Sequence, residues 1–386
     1  MKDSNKKSVI EYLQTTRKTL IFVLFFSVCF YTAFRVAKWN NDTIQLFFDN
    51  CYSVFDAIKK IVVLLLLGIE TILLLNGLIK KEKHILLNVL IFGSFVFACL
   101  CFKVFTYYER FIYYAIIVYF SRYLMFRSLV IEYIIIYSIS LLMIIFGNIS
   151  GNLSVDIGLR GLNFGFIHYN SAALFLFMYY LSISYLLKEK KTLVSIAGII
   201  TVFILAFIIK SRTPFIVTIL YIVLMWGESL YYKLSKISQT TIKYCFILMP
   251  LLLTLLSFVL GQLIYDGILT IDGNASCRFY EFIYFMKERG LSLSYCEMGE
   301  LKRTYYFDNG YGHLLFHYGL VSYAIITLGQ LLSNYSVVKF HDYHVAITMF
   351  CLYVYNLMEF ILYFNDLPLL MIAYMSRLIS DKDHSY

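Results

Sequence analysis

The sequence predicts an all-α polytopic membrane protein with about twelve transmembrane helices. Three observations lead there. Of 386 residues, 60% are hydrophobic and only 15% charged, whereas a soluble domain carries about 25% charge. Long apolar runs recur along the whole chain, in place of the ten-residue alternation of a membrane β-barrel. Only three prolines interrupt them. Mean hydropathy is +0.74. This composition excludes a cytosolic enzyme, a disordered chain and a disulfide scaffold. The net charge of +9 sits in short clusters between apolar runs, as membrane topology requires. It does not form a nucleic-acid footprint, so no nucleic-acid partner is expected. The 35 Tyr and 35 Phe exceed what interfacial belts need, and many must pack inside the bundle.

The spans follow in order. A basic start (Lys2, Lys6, Lys7, Arg17, Lys18) leads into an apolar run at 19–37 with no small-residue cleavage site, which reads as an uncleaved first span. Further runs cover 60–79, 85–105, 111–121, 129–147, 170–187, 192–209, 214–232, 244–264, 311–333, 345–364 and 367–380. The fourth and the last are short. An inside N-terminus makes Lys80–Lys83, Ser121–Arg127, Lys188–Lys191, Lys233–Lys243 and Asn334–His344 cytoplasmic, and each carries Lys or Arg. By this parity 19 basic residues lie inside and 14 outside, which puts both termini in the cytoplasm.

The chain reads as one integral membrane domain, 1–386. Three outer segments are long enough to carry function: 38–59, 148–169 and the largest, 265–310, between the ninth and tenth spans. Within the last, 279–289 reads either as a helix on the membrane surface or as a lid packed on the bundle. Cys277 and Cys296 share this loop, so a disulfide is possible there. No CxxC or His-rich metal spacing appears, and no metal or cofactor is expected. Asn41, Asn148, Asn152 and Asn274 head N-x-S/T triplets, which matter only in a eukaryotic secretory pathway.

Four polar places at outer span ends are the candidates for chemistry. Gly158 to Asn170, before the sixth span, combines three glycines with Arg160, His168 and Asn170; it also reads as a re-entry loop with a helix cap at Asn170. Lys210-Ser211-Arg212-Thr213-Pro214 puts Arg212 near a helix N-terminus, where backbone donors favour an anion; a snorkelling arginine is the alternative. Ser276-Cys277-Arg278, with Lys302-Arg303, lies in a loop whose acids outnumber its bases, so an anion site there needs selected arginines. Phe307 to Gly319 opens the tenth span. Its Asp308 suits proton abstraction from a hydroxyl, or a helix cap. His313 and His317 share a helix face but lack a third metal ligand.

In this order the four places resemble the bacterial O-antigen and capsular polysaccharide polymerases (Wzy type) and the related O-antigen ligases. The matching stretches are Gly165-Phe166-Ile167-His168-Tyr169-Asn170, with tyrosine where proline is usual, Ser211-Arg212-Thr213, Arg278, and Asp308-Asn309-Gly310-Tyr311 with Gly319. Asp rather than His at 308 looks more like a polymerase than a ligase.

The resemblance implies an all-helical, metal-independent glycosyltransferase of class C-like architecture. It would polymerise undecaprenyl-diphosphate-linked oligosaccharide repeat units on the outer face, with membrane lipid, a flippase and a chain-length regulator as partners. In that reading Arg212 and Arg278 clamp the diphosphate and Asp308 is the general base. Direct attack would invert the anomeric centre. Arg160, His168, Asn170, Arg303, Asn309, Tyr311 and His313 would bind substrate. Two alternatives stay open. One is a ligase with the same donor. The other is a transporter without catalysis, in which the intramembrane carboxylates Glu70, Glu132 and Glu359 form a proton path.

Overall fold

The computed structural model describes residues 2–35, 39–40, 42–83, 85–106, 109–153, 157–158, 161–164, 166, 169–270, 274–295 and 309–359. These form a helical bundle. In chain order the helices are α1 (Lys2–Arg35), α2 (Asp42–Ile79), α3 (Ile85–Cys101), α4 (Glu109–Ser121), α5 (Phe126–Ile149), α6 (Tyr169–Leu186), α7 (Lys191–Phe203) and α8 (Arg212–Tyr231). There follow α9 (Lys236–Ile247), α10 (Met249–Tyr265), α11 (Asn274–Arg289), α12 (Gly310–His317), α13 (Gly319–Lys339) and α14 (Tyr343–Met358). α3 and α7 each continue into a π-helical segment, Phe102–Thr106 and Ile204–Ile209. A two-residue antiparallel ladder, β1 (Ile157–Gly158) with β2 (Gly161–Leu162), shapes the loop before α6.

Six helices are long and apolar enough to cross a membrane, and seven if the bent pair α9–α10 counts as one span. The chain is therefore a multi-pass helical membrane protein. Shorter apolar helices occupy the fourth, sixth and eleventh predicted positions. The twelfth, 367–380, and the end of the eleventh lie outside the described residues. The aromatic excess goes inside the bundle, as predicted. Tyr119, Tyr133, Tyr137, Tyr221, Tyr311, Tyr318, Tyr353 and Tyr355 are all fully buried, and Tyr133 stacks on Tyr137 at 4.1 Å.

Three elements differ from the sequence expectation. Most of 38–59 is helix rather than outer loop, because no glycine or proline interrupts α2 before Gly68. At 38 residues, α2 is about 57 Å long, well beyond the roughly 30 Å of a hydrocarbon core. The ninth span is broken: α9 and α10 meet at 74°. Pro250 has no N–H to give the carbonyl of Phe246, and Asn334 Nδ2 supplies the missing donor at 2.9 Å. The tenth span is broken between α12 and α13, at Gly319 with φ +85°.

Of the two forms expected for 279–289, the structure takes the second: α11 is a lid packed on the bundle. It buries Phe279, Phe282, Ile283 and Phe285. Tyr280 on α11 stacks on Tyr265 at the end of α10, and Lys287 sits 3.7 Å over the Tyr265 ring.

Candidate functional site

The turn between α7 and α8 begins the site. The π-helical segment ends at Lys210, which takes the left-handed conformation with φ +57°. The Ser211 N–H then reaches back to the carbonyl of Leu205 at 3.0 Å. This tight closure places Ser211 as the N-cap residue of α8 and Arg212 at its first position, with Pro214 tolerated in the first turn. Ser211 is buried and Arg212 is exposed. Arg212 thus adds a free-standing cation to a helix N-terminus that already favours anions. Among the described residues, no ion pair to Arg212 is formed.

Asn170 lies in the first turn of α6, and its amide turns towards that same corner. Its Oδ1 accepts from Ser211 Oγ at 3.1 Å. Its Nδ2 points at Glu359 Oε2 at 3.5 Å. Glu359 ends α14 in an extended conformation. Its Oε1 accepts from Arg278 of α11 at 3.1 Å, a salt bridge with side-chain exposures of 13% and 15%, and receives Thr213 Oγ1 at 3.5 Å. One carboxylate therefore gathers residues from three of the four sequence places: Asn170, Ser211–Thr213 and Arg278. The loop that leads into α6 is stapled by side-chain amides. Asn163 Nδ2 donates to the Phe166 carbonyl at 2.8 Å, and Asn148 Nδ2 to that of Phe164 at 2.9 Å. Asn148 is thus committed to the fold.

The fourth place is built on α12. Asn309 is fully buried and caps the helix, its Oδ1 accepting from the N–H groups of Tyr311 and Gly312 at 3.1 Å each. Its Nδ2 donates to Ser257 Oγ of α10 at 2.9 Å. Tyr311 is buried and donates to the Tyr353 carbonyl. Gly310 packs against the Asn356 side chain so closely that a Cβ has no room. Asn356 precedes Glu359 by three residues, about 4.5 Å along a helix, so α12 abuts the Glu359 cluster through α14.

Gly319, ten residues after Asn309, has its own reason. The backbone of Leu293 and Ser294 crosses directly over it, and Ser292 O accepts from the Leu320 N–H at 2.8 Å. Only a glycine gives both the positive φ and the close approach.

The sequence-predicted residues thus divide. Arg212, Arg278 and Asn170 are brought to one corner, and Asn309 and Tyr311 buttress it. His313 does not face it in the same way. It is buried and packs edge-to-face on His317 at 4.7 Å, with Tyr318 stacked at 5.7 Å. Arg160, His168, Arg303 and Asp308 lie outside the described residues, as does Cys296 of the Cys277–Cys296 pair.

Sequence reasoning set Glu359 among intramembrane proton carriers and missed it as the partner of Arg278. Its place beside the very short outer connection at 365–367 was the available signal. Ser257 and Asn356 carried no signal; they are a serine and an asparagine in apolar runs. No family model, curated protein or solved structure matches the chain.

Proposed function

We propose that this protein is a membrane glycosyltransferase that polymerises oligosaccharide repeat units carried on undecaprenyl diphosphate, at the outer face of a bacterial plasma membrane. One observation carries the reading: Arg278 and Thr213, the neighbour of Arg212, share a single oxygen of Glu359. The helix N-terminus that carries Arg212 and the helix that carries Arg278, far apart in sequence, thereby meet at one corner. That is the equipment for a diphosphate leaving group.

In this reaction an acceptor hydroxyl of the incoming unit attacks the anomeric carbon of the growing chain. The bond from that carbon to the diphosphate oxygen breaks, and the electron pair leaves with the lipid diphosphate. Arg212 and Arg278 neutralise the charge that develops there, which is electrostatic stabilisation of the leaving group. The hydroxyl proton goes to Asp308 as general base, and direct attack inverts the anomeric centre. Asn170 and Glu359 hold the arginine-bearing elements in register. Asn309 and Tyr311 brace α12, which carries the base at its start. Arg160, His168 and Arg303 would contact substrate.

The test is a purified-protein assay with a lipid-diphosphate-linked repeat unit, read on a gel that resolves glycan length. An evenly spaced ladder, lost in Arg212→Ala and Asp308→Ala, is the expected result. A ladder that survives both substitutions keeps the activity and removes this site. A single transfer to a different acceptor makes the chain a ligase. No transfer, with flipping that depends on Glu70 or Glu132, makes it a transporter.

A further inference from the structure

The α9–α10 break opens a second cavity, separate from the Glu359 corner. Its volume is about 420 Å³, within the range of roughly 300–1,000 Å³ usual for small-molecule sites. The break is a built feature. Asn334 Nδ2 donates to the carbonyls of Phe246 and Ile247 at 2.9 and 3.2 Å, and Tyr353 donates to Asn334 Oδ1 at 2.8 Å. With its last turn so held, α9 swings away from α10 and leaves an apolar floor of Leu224, Phe246, Met249, Ile347 and Phe350. The outward side of α9 stays apolar and exposed, with Ile237 at 81% and Tyr244 at 63%. Ile242 and Cys245 line the cavity and are themselves exposed, so its wall runs out onto this apolar surface.

The rim is cationic. Lys243 lines the cavity, and Lys233, Lys236 and Lys339 are exposed on the segments that border it. Two acids face them. Asp342 lines the cavity and its Oδ1 accepts from the Val345 N–H, capping α14. Glu228 is paired with Lys191 at 2.6 Å. The lysines are left in excess around an apolar slot, with α9 set across the α10 direction as an interfacial helix is.

We infer that this cavity is a lipid site: it takes an acyl chain of an anionic phospholipid, whose phosphate headgroup is held by Lys243 at the rim. The inference does not depend on the catalytic reading, because it uses none of the residues of the Glu359 corner.

Native mass spectrometry of the full-length protein in detergent tests it, with phosphatidylglycerol, phosphatidylcholine and undecaprenyl phosphate as probes. The expected result is retention of phosphatidylglycerol over phosphatidylcholine, reduced at least about fivefold by Lys243→Glu. It should be unchanged by Lys83→Glu in the α2–α3 turn, which does not line the cavity. Ala346→Phe, which fills the cavity, should abolish retention; if that variant does not fold, Lys243→Glu decides alone. Equal retention of phosphatidylcholine, or equal effects of the two lysine substitutions, would overturn the site. Displacement of phosphatidylglycerol by undecaprenyl phosphate at equal concentration would assign the cavity to a polyprenyl lipid and overturn it too.

Discussion

Arg278 and Glu359 should behave as a coupled pair, and a double-mutant cycle measures the coupling. At 3.1 Å and an effective dielectric of about 20, the Coulomb attraction is about 5 kcal/mol. Partial burial of both groups offsets most of it through lost hydration, and the residual exposure screens the rest. A coupling of about 1–3 kcal/mol is therefore expected. The four chains are wild type, Arg278→Met, Glu359→Gln and the double variant, each purified in the same detergent and compared by thermal unfolding. Either single change strands a half-buried group, so each should destabilise. The double change should destabilise by less than the sum. Under the proposed reaction activity should separate differently: Arg278→Met removes the proposed leaving-group contact and Glu359→Gln only its support, so the first should lose more product than the second. Additive unfolding effects, within about 0.5 kcal/mol, would refute the pair and with it the convergence of α8, α11 and α14.

Three further outcomes follow from the same packing. Arg212→Ala removes an exposed side chain and should change stability by no more than about 0.5 kcal/mol, while glycan extension is lost; a parallel fall in unfolding temperature would make Arg212 structural. Gly319→Ala forces an L-residue to φ +85°, costing about 1–2 kcal/mol before the Ser294 carbonyl is displaced. Normal expression and unfolding of that variant would refute the crossing of the 293–294 backbone. Glu70→Gln leaves Arg17 and Arg122 buried without their counter-charge and should cost about 3–5 kcal/mol; recovery of folded protein at wild-type yield would refute the cage.

The helical membrane class and most helix positions were legible because lipid forces long apolar runs, and those runs survive in composition. What the runs could not show was where a helix breaks or overshoots. The bend at Leu248 needs Pro250 together with Asn334, which lies in another helix 86 positions from Leu248. The length of α2 depends on polar residues 42–59, which a hydropathy window reads as loop but which have no breaker among them. The site was half legible for a similar reason. Arg212 sits at a helix start that Pro214 reveals, and the start of α12 was legible to within one residue: the sequence offered Asp308 as its cap, and Asn309 is the cap. The junction at Glu359 joins residues 81 and 146 positions away, and no local pattern encodes that.

Two of the three carboxylates that a transporter would use, Glu70 and Glu359, sit in opposite physical settings, and the contrast bears on what this chain does. Glu70 has 1% of its side chain exposed and is bound by Arg17 at 2.6 Å and Arg122 at 2.9 Å. Tyr119 and Tyr123 also donate to it, at 2.8 and 2.6 Å, and Arg17 lies 3.3 Å over the Tyr123 ring. Taking a proton there would strand two buried guanidinium groups and break four charge-assisted bonds. Such a group joins α1, α2 and α4; it does not cycle. Glu359 accepts from Arg278 at 3.1 Å and lies 3.5 Å from the Thr213 and Asn170 side chains, with 15% of its side chain exposed. A diphosphate offers Arg278 more oxygens and more charge than Glu359 does, so a bound donor can take the arginine from the carboxylate at small net expense. The fixed knot at Glu70 and the replaceable pair at Glu359 suit an anion-binding corner set in a rigid bundle, and neither behaves as a step of a proton path; Glu132 is the carboxylate on which a transporter reading would have to rest.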